Sequence, residues 1–326
     1  MPLDKYQRQI DYLRVSLTDA CNLRCVYCMP EHMAFRRPAE LLTDAELVRL
    51  ISLFGRLGFK KIRFTGGEPT LRRGLIELVR HTTKQAGIRQ VGLTTNGLLL
   101  DQLAQPLAEA GLTTVNVSLD TLDPTRFREL TRWGNVRDVL EGLSAATAAG
   151  LRVKLNAVPI RGVNDTAAAV ALAELTLKND WQVRFIEMMP FANNADFQTG
   201  QIVRETELRA HLETAFGALE PLHDGKLDGE ARMFRIPGAP GSIGFISPVS
   251  TPFCAACNRV RLTADGRLRL CLLRDDEGDV REQLRRGATD EELETLLRSA
   301  IQRKPWGHDL ASDLIPASRG MSEIGG

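Results

Sequence analysis

The six cysteines of this 326-residue chain fall into two groups of three, and none is left over. The first group reads CNLRCVYC, with Cys21, Cys25 and Cys28 separated by three and then two residues. A structural zinc site normally takes four ligands, and only His32 lies close by in sequence. Iron–sulfur clusters bind thiolates readily, and a four-iron cluster usually takes four. Three thiolates leave one iron open to a small molecule, a catalytic arrangement. An incomplete zinc site or idle thiols stay open as the alternative.

The second group, Cys254, Cys257 and Cys271, has gaps of two and thirteen residues, the longer one spanning a hairpin in CAACNRVRLTADGRLRLC. Again only three thiols are available, so a second four-iron cluster would also have an open corner. Arg259 and Arg261 flank Val260. Period-two strand geometry puts both guanidiniums on one face beside the cysteines. Two such forks suit a phosphate-rich ligand; the alternative is a solvated strand face.

The elements that must position these residues alternate strand with helix. Strands are expected at Tyr12–Leu17, Lys61–Phe64, Val91–Thr94, Thr114–Leu119, Arg152–Val158 and Val183–Met188. Helices fall between them, the first starting where Thr43 and Glu46 have capping-box spacing. Strands joined by helices of this length pair in parallel through right-handed crossovers. Six such units without a dinucleotide fingerprint predict an α/β fold, a partial six-stranded TIM-like βα barrel. A glycine-rich polar stretch near His223–Glu230 looks like a linker. It divides a barrel domain, residues 1–225, from a smaller C-terminal domain, 226–326, that carries a β-hairpin turning at Asp265-Gly266 and the second cysteine site.

In a βα barrel the chemistry sits at the C-terminal strand ends. There the chain has the first cysteine loop, then Gly67 and Glu68, then Thr94, Thr95 and Asn96. Ser118 and Asp120, Lys154 and Asn156, and Glu187 and Met188 follow on later strands. Any one alone is ordinary turn chemistry; their coincidence is informative.

Composition narrows the classes. Hydrophobic residues make up 43% and charged residues 25%, globular proportions that exclude disorder and coiled coil. A net charge of +1 argues against an indiscriminate polyanion binder, so no nucleic acid is expected. No apolar run reaches the ~18–20 residues of a bilayer helix, and the N-terminus lacks a signal-type apolar stretch. A cytoplasmic, reducing location is therefore expected, where disulfides are rare.

CNLRCVYC, with Tyr27 before its last cysteine, and RFTGGEPTLR after the second strand resemble the signatures of the radical S-adenosylmethionine superfamily. With Arg14 in DYLRVSLTDACN, the second triad, NRVRLT and the terminal Gly325-Gly326, the chain is similar over nearly its whole length to the GTP 3′,8-cyclase family of molybdenum cofactor biosynthesis. The resemblance implies two 4Fe-4S clusters, one on each triad, and S-adenosyl-L-methionine on the open iron of the first. It implies GTP between the clusters, an external electron donor, and a downstream cyclic pyranopterin monophosphate synthase that consumes the product. In that family a 5′-deoxyadenosyl radical removes the ribose 3′ hydrogen, and the 3′ carbon then attacks C8 of the guanine.

Matching positions assign Tyr27, Gly67, Ser118 and Met188 to S-adenosylmethionine, and Arg14, Arg63, Thr94, Lys154, Arg259, Val260 and Arg261 to GTP. Gly325 and Gly326 match a tail that enters the active site and serves the radical step. A homodimer is also compatible with the family. A radical enzyme that modifies a peptide is the main rival; such enzymes share the first triad and the barrel but typically carry more C-terminal cysteines. An electron carrier would need neither the GGEP loop nor the barrel mouth.

The two triads should fail differently. Cys25→Ala should abolish S-adenosylmethionine cleavage, because the electron source is lost. Cys257→Ala should keep the first cluster and some uncoupled cleavage, with little cyclised product. Equal loss of cleavage in both variants, with the first cluster spectroscopically intact, would refute this division.

Overall fold

The computed structural model describes residues 2–191, 201–225, 227–310 and 315–325. Six strands carry the first half: β1 (Tyr12–Ser16), β2 (Lys61–Thr65), β3 (Gln90–Thr95), β4 (Thr114–Ser118), β5 (Arg152–Ala157) and β6 (Gln182–Ile186). They pair in parallel in sequence order. Between them run α1 (Asp44–Arg56), α2 (Leu75–Thr83), α3 (Leu100–Glu109), α4 (Pro124–Thr131), α5 (Val136–Ala148) and α6 (Ala167–Glu174). Helix α1 begins where its spacing predicts: Glu46 N donates to Thr43 Oγ1, and Thr43 N donates to the Glu46 carboxylate.

Strict alternation along the strands sorts the side chains onto two faces. Leu13, Val15, Ile62, Phe64, Leu93, Val115, Val117, Val153, Leu155, Val183 and Phe185 face the helices and are almost fully buried in one core. That core also takes the apolar stripes of α1, α2, α3 and α5. Each such side chain contributes about 1.5–3 kcal/mol on burial. The helix side therefore stabilises the sheet, and the opposite face is left for polar residues. Arg14, Arg63, Thr94, Asn116, Ser118, Asn156 and Arg184 occupy it.

The six expected strands form the centre of a longer sheet. The second half supplies α7 (Glu205–Phe216), β7 (Glu220–Pro221), β8 (Leu227–Asp228), β9 (Ala231–Arg235), β10 (Ser242–Ile246), β11 (Arg259–Leu262), β12 (Arg267–Arg269), β13 (Glu277–Asp279), α8 (Val280–Arg285) and α9 (Asp290–Gln302). Strand β10 adds in parallel to β6, and β11 adds in parallel to β1. Eight parallel strands thus stand side by side, and both outer ones come from beyond residue 226. The hairpin β11–β12 turns at Asp265-Gly266, with Gly266 at φ +79°.

The sheet is strongly curled. Strands β6 and β11 are six steps apart in the sheet, about 29 Å if it were flat, at ~4.8 Å per strand. Yet Arg184 of β6 and Arg259 of β11 approach the same carboxylate, that of Glu230, at 4.0 and 3.2 Å. Glu230 sits in the turn between β8 and β9. The stretch expected to be a linker is therefore partly strand, and its turn reaches the concave face. No described helix is long and apolar enough to cross a membrane.

Candidate active site

One cavity takes in the polar ends of the parallel strands and all six cysteines. Cys21, Cys25 and Cys28 lie on one wall and Cys254, Cys257 and Cys271 on another, with Arg14, Arg63, Arg184, Arg259 and Arg261 among the residues lining it. All six thiols are free and partly accessible. Among the described residues no three His, Cys, Asp or Glu side chains are arranged around a single metal ion.

The first triad is held by the loops around it. Gly67 N donates to Thr18 O at 2.7 Å, and Glu68 N to Ala20 O at 2.8 Å. A Cβ on Gly67 would lie 2.4 Å from the carbonyl oxygens of Asp19 and Ala20. The glycine therefore serves the close approach of its loop to the cysteine loop. Glu68 is fully buried and accepts from Thr70 N, Thr70 Oγ1, Thr95 Oγ1 and Asn96 N, so it ties the GGEP turn to the end of β3. Leu23 N lies 3.3 Å and Asn96 Nδ2 3.9 Å from Cys21 Sγ. Such contacts to sulfur tune a bound cluster. Burial pushes the Cys21 thiol up to about 11 and Cys28 up to about 12. A cluster that binds here must displace those protons.

Beside this triad Tyr27, Leu130, Ile160 and Met188 pack into a small apolar cluster, of which Tyr27 and Met188 line the cavity. The Tyr27 hydroxyl donates to Asp120 at 2.6 Å, and the other oxygen of Asp120 accepts from Val158 N. Burial raises the Asp120 carboxyl to about 6. Ser118 lies on the same wall.

The floor between the triads is cationic. Arg63 Nε donates to the Tyr12 hydroxyl at 2.8 Å and its Nη1 to Leu93 O at 3.0 Å. A Cβ on Gly92 would lie 2.9 Å from Arg63 Nη2, so this glycine leaves room for the guanidinium. Arg184 donates to Asn156 Oδ1 at 2.7 Å. Burial alone would raise the Tyr12 phenol, but Arg63 and Arg14 bring it down to about 8. Burial alone would also raise Glu230, but Arg259, Arg184 and Arg14 hold it far below the usual carboxylate range. Thr94 Oγ1, Asn116 Oδ1, Arg184 Nε and Arg259 Nε are buried polar atoms with no hydrogen-bond partner among the described residues. Unsatisfied buried groups are costly; an anionic, polar ligand on this floor answers them.

Around the second triad the charges differ. Burial alone would raise Cys257, but Lys304 and Arg259 lower it. Cys271 is raised by burial. The tail returns to the cavity: Arg319 pairs with Asp265 and Glu277 at 2.8 Å, and Glu323 pairs with Arg36 at 2.8 Å. Ile324 is buried, and Gly325, at φ +76°, accepts from Arg261 Nη1 at 3.0 Å. A Cβ on Gly325 would lie 2.3 Å from Thr65 Oγ1. Gly326 lies outside the described residues.

The structure thus brings together the six cysteines, Arg14, Tyr27, Arg63, Gly67, Thr94, Ser118, Met188, Arg259 and Arg261. Gly325 joins them through Arg261. Two expected residues sit differently. Val260 lies in register with Leu13, and its side chain belongs to the apolar core, so it can offer the cavity only its backbone. Lys154 pairs in register with Asn116 and shares the inward alternation of β5, but it is not among the residues lining the cavity. Burial and the nearby Arg184 lower its ammonium to about 8. Tyr12, Asn116, Arg184, Glu230 and Lys304 line the site without having been singled out in the sequence. Asn116 and Arg184 share the inward alternation of their strands, a signal open to inspection; Glu230 and Lys304 carry none.

Two family models match: Radical SAM superfamily over residues 15–174 and Molybdenum Cofactor Synthesis C over residues 181–310. The chain is 43% identical over 326 residues to a GTP 3′,8-cyclase of Thermodesulfovibrio yellowstonii, covering 99% of both chains. It is 45% identical over 325 residues to that of Pelotomaculum thermopropionicum, again covering 99% of each. Among solved structures, Streptococcus suis SuiB bound to S-adenosylmethionine superposes with a TM-score of 0.64 at 15% identity, over 93% of this chain and 74% of that one. At that identity the likeness is one of fold.

Gly67→Ala should push the cysteine loop out of place. Iron bound after anaerobic reconstitution should fall by about half, the second cluster's signal staying intact. Full iron content in this variant would show that the contact has no consequence.

Proposed function

The chain belongs to the GTP 3′,8-cyclase family, and we propose that it is a radical S-adenosylmethionine lyase. It cyclises GTP to (8S)-3′,8-cyclo-7,8-dihydroguanosine 5′-triphosphate in molybdenum cofactor biosynthesis. The observation that carries this reading is the single cavity with three thiols at each side and buried arginines between. In the bound state the first cluster and S-adenosylmethionine supply an electron and a carbon radical able to take a hydrogen from the nucleotide.

The chain's own residues do the rest. Cys21, Cys25 and Cys28 hold the first cluster, and Cys254, Cys257 and Cys271 hold a second 4Fe-4S cluster that meets the guanine. The apolar pocket of Tyr27 and Met188 takes the adenine end of S-adenosylmethionine, and Ser118 hydrogen-bonds its polar part. Gly67 keeps the cysteine loop in place. Arg14, Arg63, Arg259 and Arg261 grip the triphosphate as bidentate forks, joined by Arg184, with Lys154 adding charge from β5. Thr94, Asn116 and the Val260 backbone contact the nucleotide. The tail packs Gly325 beside Arg261 and shuts water from the reacting sugar. An external reductant feeds the first cluster, and a cyclic pyranopterin monophosphate synthase takes the product, all in the cytoplasm.

A peptide substrate is the rival. The buried arginines favour a polyphosphate instead, since a peptide offers no comparable anion. Release of 5′-deoxyadenosine by the reconstituted enzyme, with and without GTP, decides. Dependence on GTP together with a cyclised product supports the cyclase; indifference to GTP rejects it.

Two predictions follow from the site's charges and its tail. An anion on the floor favours the ammonium of Lys154 and the neutral phenol of Tyr12, both of which titrate near 8 in the free protein. GTP binding above pH 8 must therefore take up protons. Affinity should be flat below that pH and weaken above it, by up to about tenfold per pH unit for each group. Lys154→Arg with Tyr12→Phe should flatten the profile; calorimetry that shows the same slope in that double variant would reject the assignment. Deleting Gly325 and Gly326 should leave both clusters and most GTP binding in place but collapse formation of cyclised product. Turnover at the full-length rate would mean that the tail is a passive plug.

A further inference from the structure

The segment from Lys304 to His308 follows α9 and wraps the second cysteine triad. Arg8, from the N-terminal end of the chain, donates to the carbonyls of Pro305 and Trp306 at 2.6 Å each. The same guanidinium donates to Cys254 O at 2.7 Å. A Cβ on Gly307 would lie 2.9 Å from Cys254 Sγ, so the segment passes directly over that thiol. His308 Nε2 lies 2.9 Å from Pro248 O, at the rim of the same cavity. At the head of the segment stands Lys304.

Lys304 is 2% exposed. Its ammonium donates to the carbonyl of Leu270, the residue before Cys271. Neither that contact nor any ion pair found among the described residues gives it a carboxylate. Burial is the largest influence on this ammonium and lowers it; Cys257 and Cys271 oppose that, whereas Arg8 and Arg259 add to it. Lysine is rarely buried unless it is paired, and a buried charge without a counter-charge is strongly destabilising. The thiols of the second triad are what the structure offers as that counter-charge.

We propose that Lys304 is the counter-charge and positioning residue of the second iron–sulfur site. Its ammonium anchors the Leu270–Cys271 backbone and raises the reduction potential of the cluster, because a nearby cation favours the more negative, reduced state. This rests on the reading that Cys254, Cys257 and Cys271 hold a cluster.

The test uses the full chain, reconstituted anaerobically, in a background in which Cys21, Cys25 and Cys28 are replaced by Ala so that only the second cluster is read. Iron and sulfide are counted first. Iron bound in this background establishes the cluster; its absence overturns the cluster reading, and the proposal with it. Lys304→Met and Lys304→Arg are then compared by redox titration followed by electron paramagnetic resonance. The expected result is a more negative midpoint in Lys304→Met and a return toward the parent value in Lys304→Arg. Loss of the cluster in Lys304→Met with its recovery in Lys304→Arg also supports the proposal, because charge is what the two cations share. An unchanged midpoint in Lys304→Met, or loss of the cluster in both variants, overturns it.

Discussion

The rest of the structure answers to one constraint, the burial of several guanidiniums on the concave face of a single sheet. Arg14, Arg63, Arg184, Arg259 and Arg261 all line the cavity, and taking a charge out of water costs several kcal/mol per ion. The helix side compensates by being uniformly apolar. Gly92 and Gly244 stand next to Arg63 and Arg184 and leave them room. Glu230 lies between β6 and β11 and balances part of the charge from each edge. A carboxylate in that place also competes with phosphate for the same forks. The floor is thus held together by a carboxylate of the chain itself.

The two thiol triads live in different electrostatic surroundings. Burial dominates around the first, and its thiols are raised. Around Cys257 the cations Lys304 and Arg259 outweigh burial. The tail touches both regions: the Ser322 backbone hydrogen-bonds the Cys28 sulfur, while Gly325 reports to Arg261. Cys28 and Arg261 are therefore mechanically linked through the four residues Ser322 to Gly325.

Much of this was legible before any coordinates. The six central strands, the capped start of α1 and the hairpin at Asp265-Gly266 follow from period, capping and turn chemistry, all of which act over a few residues. The cysteine spacings located both ends of the cavity. What stayed hidden depends on distant neighbours. Glu230 reads as linker because its meaning comes from Arg184 and Arg259, on strands six steps apart in the sheet. Val260 is expected as a contact from the family resemblance, and the alternation that points its neighbours Arg259 and Arg261 inward turns its side chain to the core. Lys304 sits in an unremarkable run after a helix, and only the fold puts it beside Cys271. That β10 and β11 extend the central sheet in parallel also escaped a reading that assigned them to a separate unit.

That last pairing has a consequence for how the molecule comes into being. Strand β1 ends at Ser16, and its outer neighbour β11 begins at Arg259. A ribosome adding ~5–20 residues per second needs on the order of ten to fifty seconds to cover that interval. Throughout it, β1 and later β6 are bare edges, which are templates for pairing with other chains. The first thiol triad is meanwhile already outside the ribosome, with its loop complete but its cavity open on two sides. The cell must therefore protect a nascent chain whose cluster site exists well before its walls do, and the closing stitch is a contact between sequence-distant strands, the slowest kind to form.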